Sequence, residues 1–360
     1  MKREPVTGAA TGSRSPALAR ALALAALALG LAGGGVFALP LEPAAFLPLS
    51  ASVVRVEVQR AQGGLGIGSG VTLAPDVVVT NCHVTRDATV IRVSGAGRTW
   101  EVTGEYAQGT HDVCFLRVPG WNGRAVALSE REPLQVGEPV AAIGFTGGMG
   151  RGLQFGQVRA LHALDGGEVI ETDAAFTSGA SGGGLFDAQG TLVGLLTFRS
   201  LENGGAYYAL PAAWIRERIP DAQQWTDVRP LHDAAAFWQR DSATQPYFMR
   251  AASLSAEHRW AELIELTAAW AKASPADAEP FRLRGRAFQQ THLDESAVQS
   301  FSEALRLDPA DATSWYGLGL AYAALGDDSS SQGAQDVLSG IDEALASRLR
   351  DAIARLHGTR

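Results

Sequence analysis

A serine enclosed by glycines is the strongest signal for chemistry in this 360-residue sequence: Ser181, within residues 178–184 (Ser-Gly-Ala-Ser-Gly-Gly-Gly). Glycines on both sides of a serine let the backbone bend so that neighbouring N–H groups point to one place. There they can hold the oxyanion of a tetrahedral intermediate. A flexible Ser-Gly loop is the alternative, but the segment lies between apolar runs and not in a low-complexity tract. Ser181 is therefore a candidate nucleophile.

A serine hydroxyl attacks poorly unless a base takes its proton, and that base must itself be oriented by a third group. The sequence has seven histidines. His83 directly follows the apolar run 77–80, which places it on the short turn that leaves a strand. The others lie beside an aspartate, late in a predicted strand, or in the polar and helical part: His111, His162, His232, His258, His292 and His357. His83 is the favoured base.

The pattern Gly-x-Ser-x-Gly also occurs in the nucleophile elbow of α/β-hydrolases. That elbow requires a helix after the serine, with the acid and the histidine downstream. Residues 185–194 follow Ser181 here, and their pattern is typical of a strand, a tight turn and a second strand. The sequence context excludes the α/β-hydrolase interpretation.

Short apolar runs separated by Gly, Pro, Asp and Asn fill residues 51–212. In the first of them, Val54, Val56 and Val58 alternate with charged residues, which is the period of a half-buried strand. The other predicted strands lie at 70–73, 77–80, 89–93, 113–118, 139–145, 153–161, 169–172, 191–198 and 206–210. Many short strands without intervening helices favour an antiparallel sandwich or barrel.

The C-terminal part has a helical composition and an internal repeat. After a polar stretch, 221–244, which we interpret as a linker, Ala, Leu, Glu and Arg dominate residues 245–358 with helical spacing. A period of 34 residues, that of the tetratricopeptide repeat, relates Pro275 to Pro309, Asp277 to Asp311, Gly285 to Gly319, Ala287 to Ala321 and Phe288 to Tyr322. Residues 281–308 fit one unit well and 245–276 fit loosely. The Ser/Gly-rich residues 329–333 are expected to interrupt the last unit. A generic helical bundle is the alternative.

Four motifs, in order, resemble those of trypsin-like serine proteases, especially their bacterial HtrA branch. They are residues 68–71 with 79–84, residues 111–116, residues 171–183 and residues 206–211. The resemblance covers about residues 50–217. It implies an all-β double six-stranded barrel, which we assign to residues 50–220, followed by an all-α tetratricopeptide-like domain.

Site roles follow from this resemblance. It implies that Ser181 is the nucleophile, that His83 is general base and then general acid, and that Asp112 orients the imidazole. The backbone N–H groups of Gly179 and Ser181 would form the oxyanion hole. Asp87, four residues after His83, is the alternative acid, but it lies on the wrong side of the turn.

The sequence departs from the family in two places. Ala180 stands where the family carries Asn or Asp, and little harm is expected because the main chain matters most there. No C-terminal PDZ domain is recognisable, which puts in doubt any transfer of HtrA oligomerisation or peptide-activated regulation.

By resemblance, Ala175 lies at the base of the pocket for the side chain before the cleaved bond. Since no carboxylate is present there, we expect cleavage after small or medium aliphatic residues.

The N-terminal segment predicts export. Basic residues precede an apolar run at 21–32, and small residues follow near position 38, as in a cleaved signal peptide over residues 1–38. Residues 39–49 would then be a linker. The apolar run is shorter than the roughly 20 residues of a bilayer span, so an uncleaved membrane anchor is the alternative. A periplasmic or secreted protein is expected.

An exported protein can keep a disulfide. Cys82 immediately precedes the implied base and Cys114 lies two residues after the implied acid, so Cys114 shares a strand face with Asp112. Contact between His83 and Asp112 would bring the two cysteines within bridging distance. We therefore predict a Cys82–Cys114 disulfide, with two buried free thiols as the alternative.

Composition excludes other classes. A formal net charge of −8 argues against nucleic acid as a partner. The two cysteines lack further ligands at zinc-binding spacing, and neither a metal nor a cofactor is predicted. The sequence thus predicts an exported serine endopeptidase acting on proteins, with a possible protein partner at the repeats. The alternative is a protease-like binding or scaffold module that recruits partners through its helical repeats.

Overall fold

A computed structural model describes residues 43–130, 134–147, 150–200, 206–221, 223–232 and 235–358. The predicted export signal, residues 1–38, lies outside the described residues. Within these ranges no helix has the length and apolar character needed to cross a bilayer. The β part and the helical part belong to one compact unit, Leu41–Arg360.

The first half of the β part is an antiparallel sheet preceded by helix α1 (Pro43–Ser50). Among the described residues it has seven strands in the order β5-β4-β1-β2-β3-β7-β6. They are β1 (Val53–Arg60), β2 (Leu65–Ala74), β3 (Val77–Thr80), β4 (Ala88–Gly95), β5 (Arg98–Glu101), β6 (Gly104–Gln108) and β7 (Val113–Arg117). A one-turn helix, α2 (Cys82–Thr85), follows β3.

The two ends of this sheet meet through one continuous segment of chain, 98–108. Strand β5 pairs with β4 through a turn at Ala96 and Gly97, which both have positive φ. Its Trp100 packs edge-on against Trp121, with 4.8 Å between ring centroids. Beyond β5, the N–H of Val102 donates to the carbonyl oxygen of Ile91 on β4, and the N–H of Thr103 donates to that of Arg117 on β7. Strands β5 and β6 are therefore two parts of one segment, 98–108, which pairs with both ends of the sheet and closes the six-stranded barrel that the resemblance implies.

The second half is a closed barrel. In the described ranges its strand order is β10-β13-β12-β11-β8-β9. The strands are β8 (Pro139–Thr146), β9 (Gly150–Leu164), β10 (Gly167–Thr172), β11 (Gly184–Phe186), β12 (Leu192–Ser200) and β13 (Ala206–Pro211). The apolar runs that predicted strands lie within or overlap these elements. Helix α3 (Ala212–Arg216) follows β13 and buries Trp214 completely.

Paired helices form the C-terminal part. They are α4 (Tyr247–Ala256), α5 (Trp260–Ala273), α6 (Glu279–Gln290), α7 (Asp294–Leu307), α8 (Ala312–Leu325), α9 (Asp328–Ile341) and α10 (Glu343–Gly358). The second helices of successive pairs begin at Trp260, Asp294 and Asp328, which are 34 residues apart. The 34-residue period therefore also governs residues 245–276, whose sequence fitted the repeat only loosely.

Close helix packing explains two glycines of this region. A Cβ at Gly285 would lie 2.9 Å from the Phe301 ring, and one at Gly317 would lie 2.4 Å from it. Phe301 is buried between the two helices that carry these glycines. The glycines are needed because a side chain would push the helices apart.

The expected interruption at residues 329–333 is wrong, because α9 runs through it. Asp327 caps this helix by accepting hydrogen bonds from the N–H and the hydroxyl of Ser330. Ser331 is buried and donates to the carbonyl oxygen of Gly319 on the preceding helix, at 2.9 Å. Because these hydroxyls find acceptors at the cap and across the helix pair, the serines do not break the helix.

A buried histidine joins the second barrel to the helices. His162, on β9, is 5% exposed and lies 3.0 Å from the Glu279 carboxylate at the start of α6 and 3.1 Å from Glu171 on β10. Its ring stacks on Phe248 of α4, with centroids 4.3 Å apart. Burial disfavours protonation of the ring, but the charges and hydrogen bonds of the two carboxylates outweigh burial and raise the pKa of His162 to about 9.

The cluster around His162 predicts that the folded protein loses stability at basic pH. The proton on His162 is held in the folded state up to about pH 9, but only to about pH 6.5 in the unfolded chain. Its contribution to the free energy of unfolding is therefore complete below pH 6.5 and is lost as the pH rises through 9. We expect a decrease on the order of 3 kcal/mol over this interval, measured by denaturant unfolding.

The control variants are His162→Gln and His232→Gln, the latter at an exposed position. His162→Gln should flatten the pH dependence between 6.5 and 9, whereas His232→Gln should keep it. Equal slopes in all three proteins would contradict the role given to His162.

Candidate active site

The predicted base and acid lie on neighbouring segments of the first sheet. His83 is in α2, directly after β3, and Asp112 directly precedes β7. Strands β3 and β7 pair side by side, with Thr80 opposite Cys114. The pairing of these strands places the two side chains next to each other.

The Asp112 carboxylate holds His83 at two points. Oδ2 of Asp112 lies 2.7 Å from Nδ1 of the His83 ring, and Oδ1 accepts the backbone N–H of His83 at 2.8 Å. Asp112 is 0% exposed. Because a carboxylate can only accept at Nδ1, the neutral ring carries its proton there and keeps a free electron pair on Nε2. An imidazole held in this way can act as a general base.

The structure contains the predicted disulfide. Cys82 and Cys114 are bonded, with their Cα atoms 4.9 Å apart, and both are completely buried. The bond lies beside the contact between His83 and Asp112. It links the turn that carries the imidazole to the strand that follows the carboxylate.

Ser181 lies on the loop between β10 and β11, and this loop is held by a residue of the first sheet. The backbone N–H of Ser69, on β2, donates to the carbonyl oxygen of Ser181 at 2.7 Å. The Ser69 hydroxyl donates to the carbonyl oxygen of Gly179 at 2.7 Å and accepts the N–H of Phe145 at 2.8 Å. One buried serine thus fastens the loop to both halves of the β part.

Gly182 shows why the loop needs glycine. Its φ is +85°, a left-handed conformation, and a Cβ there would lie 2.1 Å from the carbonyl oxygen of Ser69 and 2.4 Å from the hydroxyl of Thr80. Any other residue would separate the loop from β2. Gly179 also has a positive φ, +96°. The glycines that suggested a nucleophile loop therefore allow its close approach to the first sheet.

Two backbone N–H groups of this loop are available to a ligand. The amide of Ala180 donates to the carbonyl oxygen of Thr177 at 3.0 Å. The amides of Gly179 and Ser181, on either side of it, donate to no acceptor within the described ranges. Two unpaired donors beside a serine hydroxyl are the arrangement that stabilises a developing oxyanion.

The Ser181 hydroxyl is hydrogen-bonded to the main chain of β12. Oγ donates to the carbonyl oxygen of Thr197, on β12, at 3.1 Å, and it makes no hydrogen bond to His83 in the described part of the chain. This hydroxyl must exchange the Thr197 carbonyl oxygen for Nε2 of His83 before His83 can accept its proton. Such contacts are often loose without substrate.

Residues without a predicted role complete the site. The side-chain amide of Asn81 donates to the carbonyl oxygen of Asp112 and to the hydroxyl of Thr197, both at 3.0 Å. The indole N–H of Trp238 donates to Oδ2 of Asp112 at 3.1 Å. Ser69 and Asn81 lie within the motifs on which the family resemblance rests. That resemblance was the sequence signal that could have identified them. Trp238 lies in the predicted linker, where no pattern marked it.

The predicted pocket residue Ala175 is exposed on the loop after β10. Its neighbours Ala174 and Phe176 are buried, and the Phe176 ring lies 5.2 Å from that of Tyr207. The nearby carboxylate of Asp173 is bound to the guanidinium of Arg159 and to the N–H of Gln157. Because it is already paired, Asp173 is a poor partner for a substrate Lys or Arg.

A metal site would need a cluster of ligands. Over the ranges described above, no group of three or more His, Cys, Asp or Glu side chains is arranged to hold an ion.

Residues 68–195 match the family model of the trypsin-like peptidase domain, and residues 294–326 match that of the TPR repeat. The chain therefore carries a trypsin-like peptidase domain ahead of a tetratricopeptide repeat, and curated proteins similar to it are named as periplasmic serine endoproteases, DegP or DegP-like.

Periplasmic serine endoprotease DegP of Escherichia coli (strain K12) is 30% identical over 192 residues, which cover 48% of this chain and 40% of DegP. A probable periplasmic serine endoprotease DegP-like of Pseudomonas putida is 35% identical over 154 residues, 41% of this chain and 32% of that protein. The chain thus spans less than half the length of these curated relatives. Among solved structures, the HtrA-type protease AlgW with tripeptide is similar at 27% identity and a TM-score of 0.45, covering 48% of this chain and 60% of that chain.

The disulfide should contribute measurably to stability. Cys82 and Cys114 are 32 residues apart in sequence, so the double variant Cys82→Ala/Cys114→Ala frees a loop of that length in the unfolded chain. We expect the free energy of unfolding to fall by roughly 3–4 kcal/mol on the loop-entropy relation.

Denaturant unfolding of the double variant, compared with oxidised and reduced wild type, measures this difference. The reduced wild type should resemble the double variant. Two alkylated thiols in the exported protein, treated without reductant and analysed by intact mass, would show that the bond does not form.

Proposed function

We propose that the chain is an exported serine endopeptidase that hydrolyses peptide bonds of protein substrates with His83, Asp112 and Ser181 as its catalytic triad. The observation that carries the proposal is the two-point contact of the buried Asp112 carboxylate with His83, in the same site as the glycine-flanked Ser181. The proposal gains support from the trypsin-like peptidase match over residues 68–195.

In the first half of the reaction, Ser181 turns from the Thr197 carbonyl toward His83. Nε2 of His83 takes the hydroxyl proton while Oγ forms a bond to the substrate carbonyl carbon. The carbonyl oxygen becomes an oxyanion and accepts the N–H groups of Gly179 and Ser181, which have no acceptor among the described residues. Asp112 stays ionised and stabilises the imidazolium.

The second half releases the two products. The imidazolium gives its proton to the nitrogen of the scissile bond, the C–N bond breaks, and an acyl-enzyme on Ser181 remains. Water then attacks the acyl carbon while Nε2 of His83 takes its proton. Return of that proton to Ser181 Oγ frees the carboxylic acid product and restores the serine.

We place this activity in the periplasm or outside the cell. The basic and apolar N-terminal residues, the disulfide and the name of the periplasmic relative DegP support that location. The helical region, with its TPR match at 294–326, would recruit a protein partner or a protein substrate.

A second candidate, a protease-like binding module without catalysis, is favoured by one observation. The Ser181 hydroxyl donates to Thr197 and not to the imidazole. If this orientation were permanent, the barrel would serve as a scaffold for the helical repeats. The kinetic experiment below separates the two functions.

Removal of any triad member should abolish turnover. Ser181→Ala, His83→Ala and Asp112→Asn should each lower kcat on an unfolded protein substrate by on the order of 10⁴, because the three residues act as a unit. For the same reason, the double variant Ser181→Ala/His83→Ala should be hardly worse than either single variant.

His232→Ala changes an exposed histidine outside the triad and should keep wild-type activity. Full activity in Asp112→Asn would rule out Asp112 as the acid. A wild-type protein without hydrolysis would favour the binding module.

Cleavage should follow small or medium aliphatic residues such as Val, Ala or Leu. The proposed pocket position, Ala175, has no carboxylate, and Asp173 is already paired with Arg159. A cleavage-site profile of digested proteome peptides measures this preference. Ala175→Asp should raise the share of cuts after Lys and Arg, whereas a wild-type profile already dominated by Lys and Arg would refute the assignment.

A further inference from the structure

The catalytic carboxylate of the proposed triad has a partner outside the matched peptidase domain. Trp238 lies in the 3₁₀ turn Phe237–Gln239, more than 40 residues beyond the matched range 68–195. Its indole N–H donates to Oδ2 of Asp112 at 3.1 Å. The same oxygen accepts the Nδ1–H of His83 at 2.7 Å. Oδ2 of Asp112 thus accepts two hydrogen bonds, and the one from Trp238 helps to orient the oxygen that holds His83.

The Trp238 ring also borders the base directly. It meets the His83 ring edge-on, with centroids 5.2 Å apart and planes at 88°. On its other side it stacks on Phe198 of β12, at 5.3 Å and 14°. The indole is thus held between the second barrel and the imidazole, in an orientation that points its N–H at the carboxylate.

A buried carboxylate depends on such donors. Asp112 is completely removed from solvent, and an ionised group in that position is costly unless its oxygens accept hydrogen bonds. Oδ1 accepts the His83 backbone N–H, and Oδ2 accepts the ring N–H of His83 and the indole N–H of Trp238. Without the indole, Oδ2 would be fixed by the imidazole alone.

The position of Trp238 is set by the start of the helical region. Phe237 is 2% exposed and packs edge-on against Trp214 and Phe198. The side-chain amide of Gln245, two residues before α4, donates to the carbonyl oxygen of Trp238 at 3.0 Å. Helix α4 is itself docked on the second barrel through Phe248 and His162.

We propose that Trp238 is a positioning residue that orients the Asp112–His83 pair from the segment joining the peptidase domain to the helical region. Catalytic competence then depends on the docking of that region, even for substrates too short to reach the repeats. This proposal rests on the proposed protease function.

Trp238→Phe tests the proposal, because it keeps an aromatic ring against His83 and Phe198 and removes only the N–H donor. With a short peptide substrate we expect kcat to fall about tenfold or more while KM changes less than about twofold, since a hydrogen bond to a charged group is lost. The matched control is Trp225→Phe, in the same segment, whose ring lies 5.8 Å from the Arg117 guanidinium and makes no hydrogen bond to Asp112. The control should keep wild-type kcat.

A proton NMR measurement distinguishes an effect of Trp238 on the orientation of the Asp112 carboxylate from a general effect on the stability of the site. The low-field resonance of the His83 Nδ1–H should shift in Trp238→Phe and stay in place in Trp225→Phe. Wild-type kcat together with an unshifted resonance in Trp238→Phe would overturn the proposal. If wild type and Trp225→Phe are both inactive, the protease function itself fails, which is a different result.

A second measurement covers the case in which Trp238→Phe does not fold. Asp112→Asn replaces the carboxylate by a neutral amide, so the Trp238 indole N–H loses its charged acceptor and its assigned resonance should shift relative to wild type. An unchanged indole resonance would show that Trp238 does not bind the carboxylate, and the proposal would be wrong.

Discussion

The completely buried carboxylate of Asp112 imposes the constraint on which the rest of the site depends. An ion in this position must be surrounded by donors, because burial without partners costs several kcal/mol. Its donors come from two places in the chain, the turn with His83 and the segment with Trp238. The β3–β7 pairing and the Cys82–Cys114 bond keep the first of these donors in place. The geometry of the base is therefore a consequence of how this charge is accommodated.

The position of Ser181 depends on contact between the two halves of the β part. Ser69 fastens the loop of Ser181, and this is possible only because Gly182 lets the backbones approach. The helical region adds a further contact, through the charged cluster of His162, Glu171 and Glu279. This region belongs to the same compact unit as the β part, and the segment leading to it reaches Asp112. The helices and the site are thus physically connected.

Sequence patterns predicted the features that depend on residues close together in the chain. Strand β3 has the predicted bounds, 77–80, and the cysteine pair was deduced from its spacing around His83 and Asp112. Strand β5 was missed because its residues are mostly exposed and show no alternation of apolar and polar residues. Trp238 was missed because its role arises from a contact across 126 residues of chain, which leaves no local pattern. The serines at 329–333 were misread because their acceptors lie at a cap and on another helix.

Covalent labelling of Ser181 by a fluorophosphonate tests the central claim most directly, since the reagent reacts only with a serine activated by a base. Intact-mass and peptide analysis of the folded full chain should find one adduct, on Ser181, in wild type. Ser181→Ala should carry none, and His83→Ala should label far more slowly. A folded wild-type protein with its disulfide intact and no adduct on Ser181 would contradict the account.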